Sequence, residues 1–411
     1  MTDKMKKSLK PGWRRVKFGD VVQLSKARSQ DPLAAGIERY VGLEHLEPGD
    51  LRIRRWGNVA DGVTFTSIFQ PGQVLFGKRR AYQRKVAVAD FPGVCSGDIY
   101  VLETKDSKVL LPELLPFICQ TDAFFDYAVG TSAGSLSPRT NWTSLADFQF
   151  SLPCIEDQAN LIALLGASLS AVHAAEIISH RVGELRKSLI ANHLSNGSDA
   201  SGVATPWGTI PSCWRYMPIG DVTLSSAYGP RFPSTLYADK GSARTIRTTD
   251  FCGNDEISLE TSPFARLDDS MVQDHQLLGG DFLLSRSGEY AGKTRVFVPS
   301  VDGRFIPAAF LIRYRLSQSE IRPKYLHYIC SSPIGQSVLS TLVQGSAQPN
   351  IAGSAFLALK VPVPPIEEQD QVIAIVDDLS KADRAANDRL RKSRAFMSSV
   401  LTGVLEAPHV Q

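Results

Sequence analysis

The chain has 411 residues, 43% of them hydrophobic and 21% charged, the composition of a globular protein with more than one core. Six scattered cysteines, with no Cys-x-x-Cys pair and no histidine cluster beside them, argue against a zinc site and for reduced, mostly buried thiols. The net charge of +3 conceals a surplus in residues 1–155, which hold 21 Lys/Arg against 16 Asp/Glu, and "MTDKMKKSLKPGW" lacks the apolar run of a secretory signal.

Along the chain, "GWRRVKFGDV" (12–21) opens a region of short strand-like runs, "QVLFG", "KVAVA" and "DIYVLE", separated by Pro, Gly and Asp turns. Between the first two lies "KRRAYQRK" (78–85), five cations in eight residues with no acid. Helices are predicted over "PELLPFICQTDAFFDYAV", followed by the Gly/Ser loop "TSAGSLSPRTN". Next comes "FSLPCIEDQ" (150–158), in which a proline halts the preceding element and acids favour a helix start. From there Leu161, Leu165, Val172, Ala175, Val182 and Leu189 follow coiled-coil spacing. Residues 159–178 are apolar over the length of a membrane span, but Asn160, His173 and Glu176 interrupt them, and the stretch reads as a packed helix. His173, His180 and His193 on that helix read as solvated or partner-facing rather than as ligands.

After the polar break "SNGSDASG" (195–202), the same elements return. "CWRYMPIGDV" repeats the opening, "GGDFLLSRS" answers "PGQVLFGKR", and "PKYLHYICS" answers "PELLPFICQ". "GSAQP" answers "GSLSP", and "VPVPPIEEQ" answers "FSLPCIEDQ" at an offset of 211 residues. A second helical seam follows at Val372, Val376, Leu379, Ala386, Leu390, Met397, Val400 and Val404. The reading is an α+β tandem repeat: mixed domains at 1–154 and 198–365, long helices at 155–197 and 366–411. Helices of about 37 residues would be about 55 Å long. Paired antiparallel, with a pseudo-two-fold relation between copies, they would suit a ligand with two separated sites.

In this order and duplication, the Trp…Gly-Asp-Val phrases, "LPCIEDQ", "PPIEEQ", "GDFLLSRSGEYAGKT" and "GSAQPN" resemble the specificity subunit of type I restriction–modification enzymes, over essentially the whole chain. The resemblance implies a non-catalytic reader of double-stranded DNA that needs no cofactor. In that family each domain reads one half of a split target and the helices set the gap. The helices also dock modification subunits, expected to be two, and ATP-dependent restriction subunits join the complex. No membrane is involved, and the expected location is the cytoplasm.

Phosphates are held by clustered Lys and Arg, and base edges are read by Arg, Gln or Asn. The candidates are therefore Lys78, Arg79, Arg80, Tyr82, Gln83, Arg84 and Lys85, with Arg286, Tyr290, Lys293 and Arg295 in the equivalent second loop. The Gly/Ser loops add Arg139, Asn141, Gln348 and Asn350. "YVGLEHL" and "TIRTTDF" offer Glu44, His45, Arg247 and Thr249, whereas "RIRRW" (52–56) reads as strand surface. "SGEYAGKT" nearly spells a phosphate-binding loop, but Ser287 stands where its first glycine belongs. A fused methyltransferase would need an Asn/Asp-Pro-Pro-aromatic pocket, and no aromatic follows the single Pro-Pro.

Overall fold

The computed structural model describes residues 10–195, 202–253, 255–345 and 348–405, with the last two side chains excepted. Most of the polar break between the copies and Ser346 and Ala347 of "GSAQP" lie outside them, as does the side chain of the Val404 seam position. The chain folds as two compact units, 1–174 with 389–411, and 175–388.

The mixed domain of the first unit holds two four-stranded sheets. One orders Val22–Leu24, Ile99–Thr104, Val74–Gly77 and Val86–Val88, all antiparallel. The other orders Gly57–Asn58, Arg39–Val41, Gly93–Cys95 and Ser67–Phe69, with the middle pair parallel. The second unit repeats the plan. Thr223–Tyr228, Leu311–Leu316, Phe282–Ser285 and Thr294–Val296 form its antiparallel sheet. In its other sheet Ala243–Ile246 runs parallel to Phe305–Pro307. The helical segments fall at Leu115–Ile118 and Asp122–Gly130 in one copy and at Pro323–Ser331 and Pro333–Ser340 in the other. The architecture is α+β, built twice.

The long helices run Ile155–Leu194 and Ile366–Leu405, 40 residues each and about 60 Å long, slightly longer than the spacing predicts. In the first unit Leu161, Leu165 and Leu169 share a core with Met397, Val400 and Leu401. In the second, Ile190 and Leu194 share one with Val372 and Val376. The start of one helix thus meets the end of the other in both units, the antiparallel arrangement of a coiled coil. The central helix is long and apolar enough to cross a membrane by length and composition, yet Leu165, Val172, Ala175 and Val182 along its seam are buried.

The twice-written phrase acts as a clasp. Each domain closes by pairing the strand after its Trp with the strand before the phrase, Arg14–Lys17 with Gln149–Leu152 and Arg215–Pro218 with Lys360–Val363. The Trp13 indole then donates to Asp157 Oδ2 at 2.6 Å, and Trp214 donates to Glu368 Oε2 at 3.1 Å. The final glutamine is fully buried in both copies. Gln158 accepts from the Leu111 amide and donates to the carbonyls of Val109 and Pro153, all at 2.9 Å. Gln369 likewise joins the Arg322 amide at 2.8 Å to the carbonyls of Glu320 and Pro364. One amide therefore ties helix start, hinge and helical segment together. Replacing Gln158 or Gln369 by Leu strands buried backbone groups and should lower stability by about 2–4 kcal/mol, measurable by urea unfolding.

Two expectations are corrected. His193 is neither solvated nor partner-facing: its ring lies 4.7 Å from that of Trp214, with Nε2 3.2 Å from the Tyr325 hydroxyl. Burial pushes its imidazole down to about 4. In the unfolded chain it takes up a proton near pH 6.5, whereas in the fold it stays neutral until about 4. Stability is therefore lost as pH falls through that window, by roughly 2–3 kcal/mol in total. Parent and His193→Gln unfolding curves at pH 7 and 4.5 should differ by this amount. Of the six cysteines, all free, only Cys95, Cys119 and Cys330 are buried, whereas Cys213 and Cys252 are exposed. Burial pushes the Cys95 thiol up to about 12.

Candidate nucleic-acid interface

In the first domain, the basic loop caps the hairpin between Val74–Gly77 and Val86–Val88. Its tip is a single helical turn, Ala81–Gln83, flanked by Arg80 at φ 55° and Arg84 at φ 56°. That left-handed region is costly for a side-chain-bearing residue. The Gly/Ser loop pins it: the Arg80 amide donates to the Pro138 carbonyl at 2.7 Å and the Thr140 amide to that of Lys78 at 2.8 Å.

The side chains are prepositioned. Arg79 and Arg139 share the Asp98 carboxylate at 3.2 and 2.8 Å. Partial burial alone would raise that carboxyl, but these two guanidinium groups hold it below the usual range. Arg79 and Arg80 both donate to Ser137 Oγ at 3.2 Å. Arg84 donates to the Gln120 carbonyl and to Asp122 at 2.6 Å and lies over the Phe125 ring. Lys85 Nζ donates to the Leu43 carbonyl at 2.7 Å, joining the loop to the Leu43–His45 turn. Lys78 sits over the Tyr100 ring. Tyr82, 55% exposed, and Gln83 make no side-chain hydrogen bond among the described residues. Six cations thus stand against two carboxylates, with an aromatic and an amide at the tip.

The second domain builds the same device at the same register. The amide of Gly288 donates to the Pro349 carbonyl at 3.0 Å and that of Ile351 to the Arg286 carbonyl at 2.7 Å. At the 208-residue offset that aligns these strands, Arg80 and Arg84 correspond to Gly288 at φ 74° and Gly292 at φ 86°. The turn requires left-handed backbone at both points. The second copy meets that need with glycine, the first with arginine. Arg286 donates to Asn350 Oδ1 at 3.2 Å and lies over Tyr228, and exposed Lys293 lies over Tyr290. Gln348 is exposed. Because this loop joins two strands rather than a strand to a helix, it is not a phosphate-binding loop of the NTPase type.

Other candidates have local duties. Asn141 caps the helix Trp142–Leu145 through Oδ1, although its side chain remains exposed. Arg247 is exposed and forks onto buried Asp250. His45 accepts the Gly42 amide at 3.0 Å, the bond that Asp250 makes to Arg247 in the other copy, so its imidazole shapes the turn. Glu44 and Thr249 are exposed. Arg295 departs from expectation: it is enclosed and donates to the carbonyls of Cys252, Glu256 and Thr294, which makes it a structural residue. Burial lowers its affinity for the proton. Among the described residues no three His, Cys, Asp or Glu side chains gather as metal ligands.

Residues 211–392 match the family model described as the type I restriction modification DNA specificity domain. The EcoDI specificity subunit of Escherichia coli is 27% identical over 158 residues, 38% of this chain and 34% of that relative. The MjaVIII specificity subunit of Methanocaldococcus jannaschii is 20% identical over 427 aligned positions, 97% of this chain and 94% of that relative. Residues 211–392 thus carry a type I restriction DNA specificity domain, and the chain as a whole is similar to type I restriction specificity subunits. Its fold agrees. The type I S subunit from M. genitalium matches this chain over 100% of both chains, with a TM-score of 0.66 at 12% identity. A chain from a study of complex assembly and conformational transition of the type I R-M system covers 96% of this one and 97% of its own length, with a TM-score of 0.54 at 18% identity.

Proposed function

We propose that this protein is the specificity subunit, and so the non-catalytic DNA reader, of a type I restriction–modification complex in the cytoplasm. The domains at 1–154 and 198–365 each read one half of a two-part, asymmetric target, and the helices at 155–197 and 366–411 set the gap. The observation that carries this reading is the same pinned hairpin built twice, with half-buried to exposed cations on each copy. Lys78, Arg79, Arg80, Arg84, Lys85, Arg139, Arg247, Arg286 and Lys293 supply phosphate contacts. Tyr82, Gln83, Asn141, Tyr290, Gln348 and Asn350 face base edges.

Methylation and ATP-dependent cleavage belong to partner subunits. Leu164 and Leu185 on the central helix are 42% and 57% exposed. Their counterparts 211 residues on, Ile375 and Phe396, are 49% and 45% exposed. Apolar residues left uncovered at equivalent points of both helices support docking of the same modification subunit twice. Changing Leu185 and Phe396 to Glu should abolish co-purification with modification subunits while leaving DNA binding by the chain alone intact. The whole reading is tested by mapping methylated adenines in DNA modified by the assembled complex. A two-part site is expected, and a contiguous target would sink it.

A further inference from the structure

The two domains are seated on the long helices by different chemistry. At the 211-residue offset, Leu161, Ile162, Leu165 and Leu169 correspond to Val372, Ile373, Val376 and Ser380, and Met397, Val400 and Leu401 to Arg186, Leu189 and Ile190. In the first unit every one of these side chains packs against the domain core. In the second unit five still do, and the other two positions hold Ser380 and Arg186, whose guanidinium lies over the ring of the core residue Tyr328. Ser380 is buried with no partner for its Oγ, beside a cleft of about 410 Å³ lined by Asp255, Glu256, Lys324, Asp377 and Arg384.

At these two polar positions an ionic node replaces apolar packing. Arg186 Nη1 lies 2.5 Å from Asp255 Oδ2, and Asp255 Oδ1 lies 3.0 Å from Nε2 of fully buried His327. His327 Nδ1 is 2.9 Å from Thr294 Oγ1 and 3.1 Å from Ser331 Oγ. Burial, aided by Arg186 and Arg295, lowers the proton affinity of the imidazole against the pull of Asp255, and Nε2 meets the carboxylate as a close contact rather than an aligned hydrogen bond. Burial opposes ionisation of Asp255, but His327 and Arg186 hold its carboxyl well below the usual range. Asp255 reaches this position in left-handed backbone, φ 63°, a region that aspartate tolerates better than most side-chain-bearing residues. Next to it, Glu256 pairs with Arg384 of the C-terminal helix at 3.0 Å. Two consecutive acids thus grip both long helices. Arg295, one strand from the reading loop, donates to the Glu256 carbonyl and ties that hairpin to the same node.

We propose that Asp255, acting through Arg186 and His327, is a positioning residue that fixes where the second recognition domain sits on the helices, a role filled by Leu169 and Met397 in the first. The consequence for target spacing rests on the DNA-reading assignment above. Apolar side chains can slide over one another, whereas the 2.5 Å Arg186–Asp255 ion pair ties one point of the domain to one point of the helix. Without it, the second domain gains freedom along the helices and its half-site loses a fixed distance from the other.

The test uses the full chain as Asp255→Asn, as Arg384→Gln, and as the double variant Arg186→Met with Asp255→Asn, which removes both members of the Arg186–Asp255 pair together. In the DNA-free chain, amide hydrogen exchange should rise at least tenfold in residues 252–257 and 282–296 of the Asp255 variants, with the first domain unchanged and Arg384→Gln close to parent. Parent-like exchange in folded Asp255 variants would overturn the proposal without touching the DNA-reading assignment. In assembled complexes, methylation mapping should then show unchanged half-site sequences, with at least a tenth of modified sites carrying a gap one base pair longer or shorter. A single parental gap would overturn the role in spacing. A parent that modifies no two-part site would overturn the functional reading instead, and the exchange result would still decide the positioning role.

Discussion

Replacing Arg79, Arg80, Arg84 and Lys85 together by Ala should weaken DNA binding by roughly a hundredfold or more at moderate salt. The slope of log affinity against log salt should also flatten by about one unit for each phosphate no longer held. Part of any weakening in this variant has a structural origin, because Arg84 and Lys85 also bond to the Gln120 and Leu43 carbonyls. A single change separates the two effects. Arg80 sits in left-handed backbone, and its equivalent in the second domain is Gly288. Arg80→Gly removes that strain, so the folded domain should become more stable by up to about 1 kcal/mol. Its guanidinium is removed at the same time, so the salt slope should still fall by about one unit. Stability and affinity would then move in opposite directions, which no loss of folding can produce. An unchanged slope in a stable Arg80→Gly chain would make the loop ordinary surface.

That arginine also marks the limit of the sequence. The cationic run at 78–85 is plain as composition, but nothing local tells that Arg80 and Arg84 need left-handed backbone. The signal lies at the repeat-equivalent positions, where Gly288 and Gly292 state the requirement openly. The repeat itself, the strands flanking the reading loops and the long helices are legible because apolar runs such as "QVLFG" and "DFLLSR" are bounded by turn residues and recur at a fixed offset. The second sheet of each domain is not. Its strands are two to four residues long and pair across distant sequence, as Tyr40 does with Val94. The hinge phrase is visible as a helix start, yet its glutamine works through backbone groups some fifty residues away along the chain, which spacing cannot show. Arg295 looks like any other loop cation in sequence. Only its enclosure by the 252–256 segment separates it from Lys293 two residues earlier.

Lengthening the helices should change the gap between half-sites and nothing else. Ile190 and Leu194 belong to the core of the second domain, and Leu161 and Leu165 to that of the first, so insertions there would unseat a domain. The unit boundaries after Ala174 and after Asp388 avoid both seats. Because the helices are antiparallel, the insertion must be made in both, or the seam would be left with unequal arms. Four residues in each add about one helical turn and about 6 Å, and the apolar seam keeps nearly its phase. At about 3.4 Å per base pair, the preferred gap should grow by one or two base pairs. The half-site sequences should stay as they were, because neither pinned hairpin has been altered. Inserting the residues in the central helix alone should instead weaken binding without creating a new gap, since the two helices would then set different distances. Mapped modification sites for the parent, the single and the double insertion distinguish these outcomes. An unchanged gap in a folded, active double-insertion complex would remove the spacing role from the helices and leave it to the domains themselves.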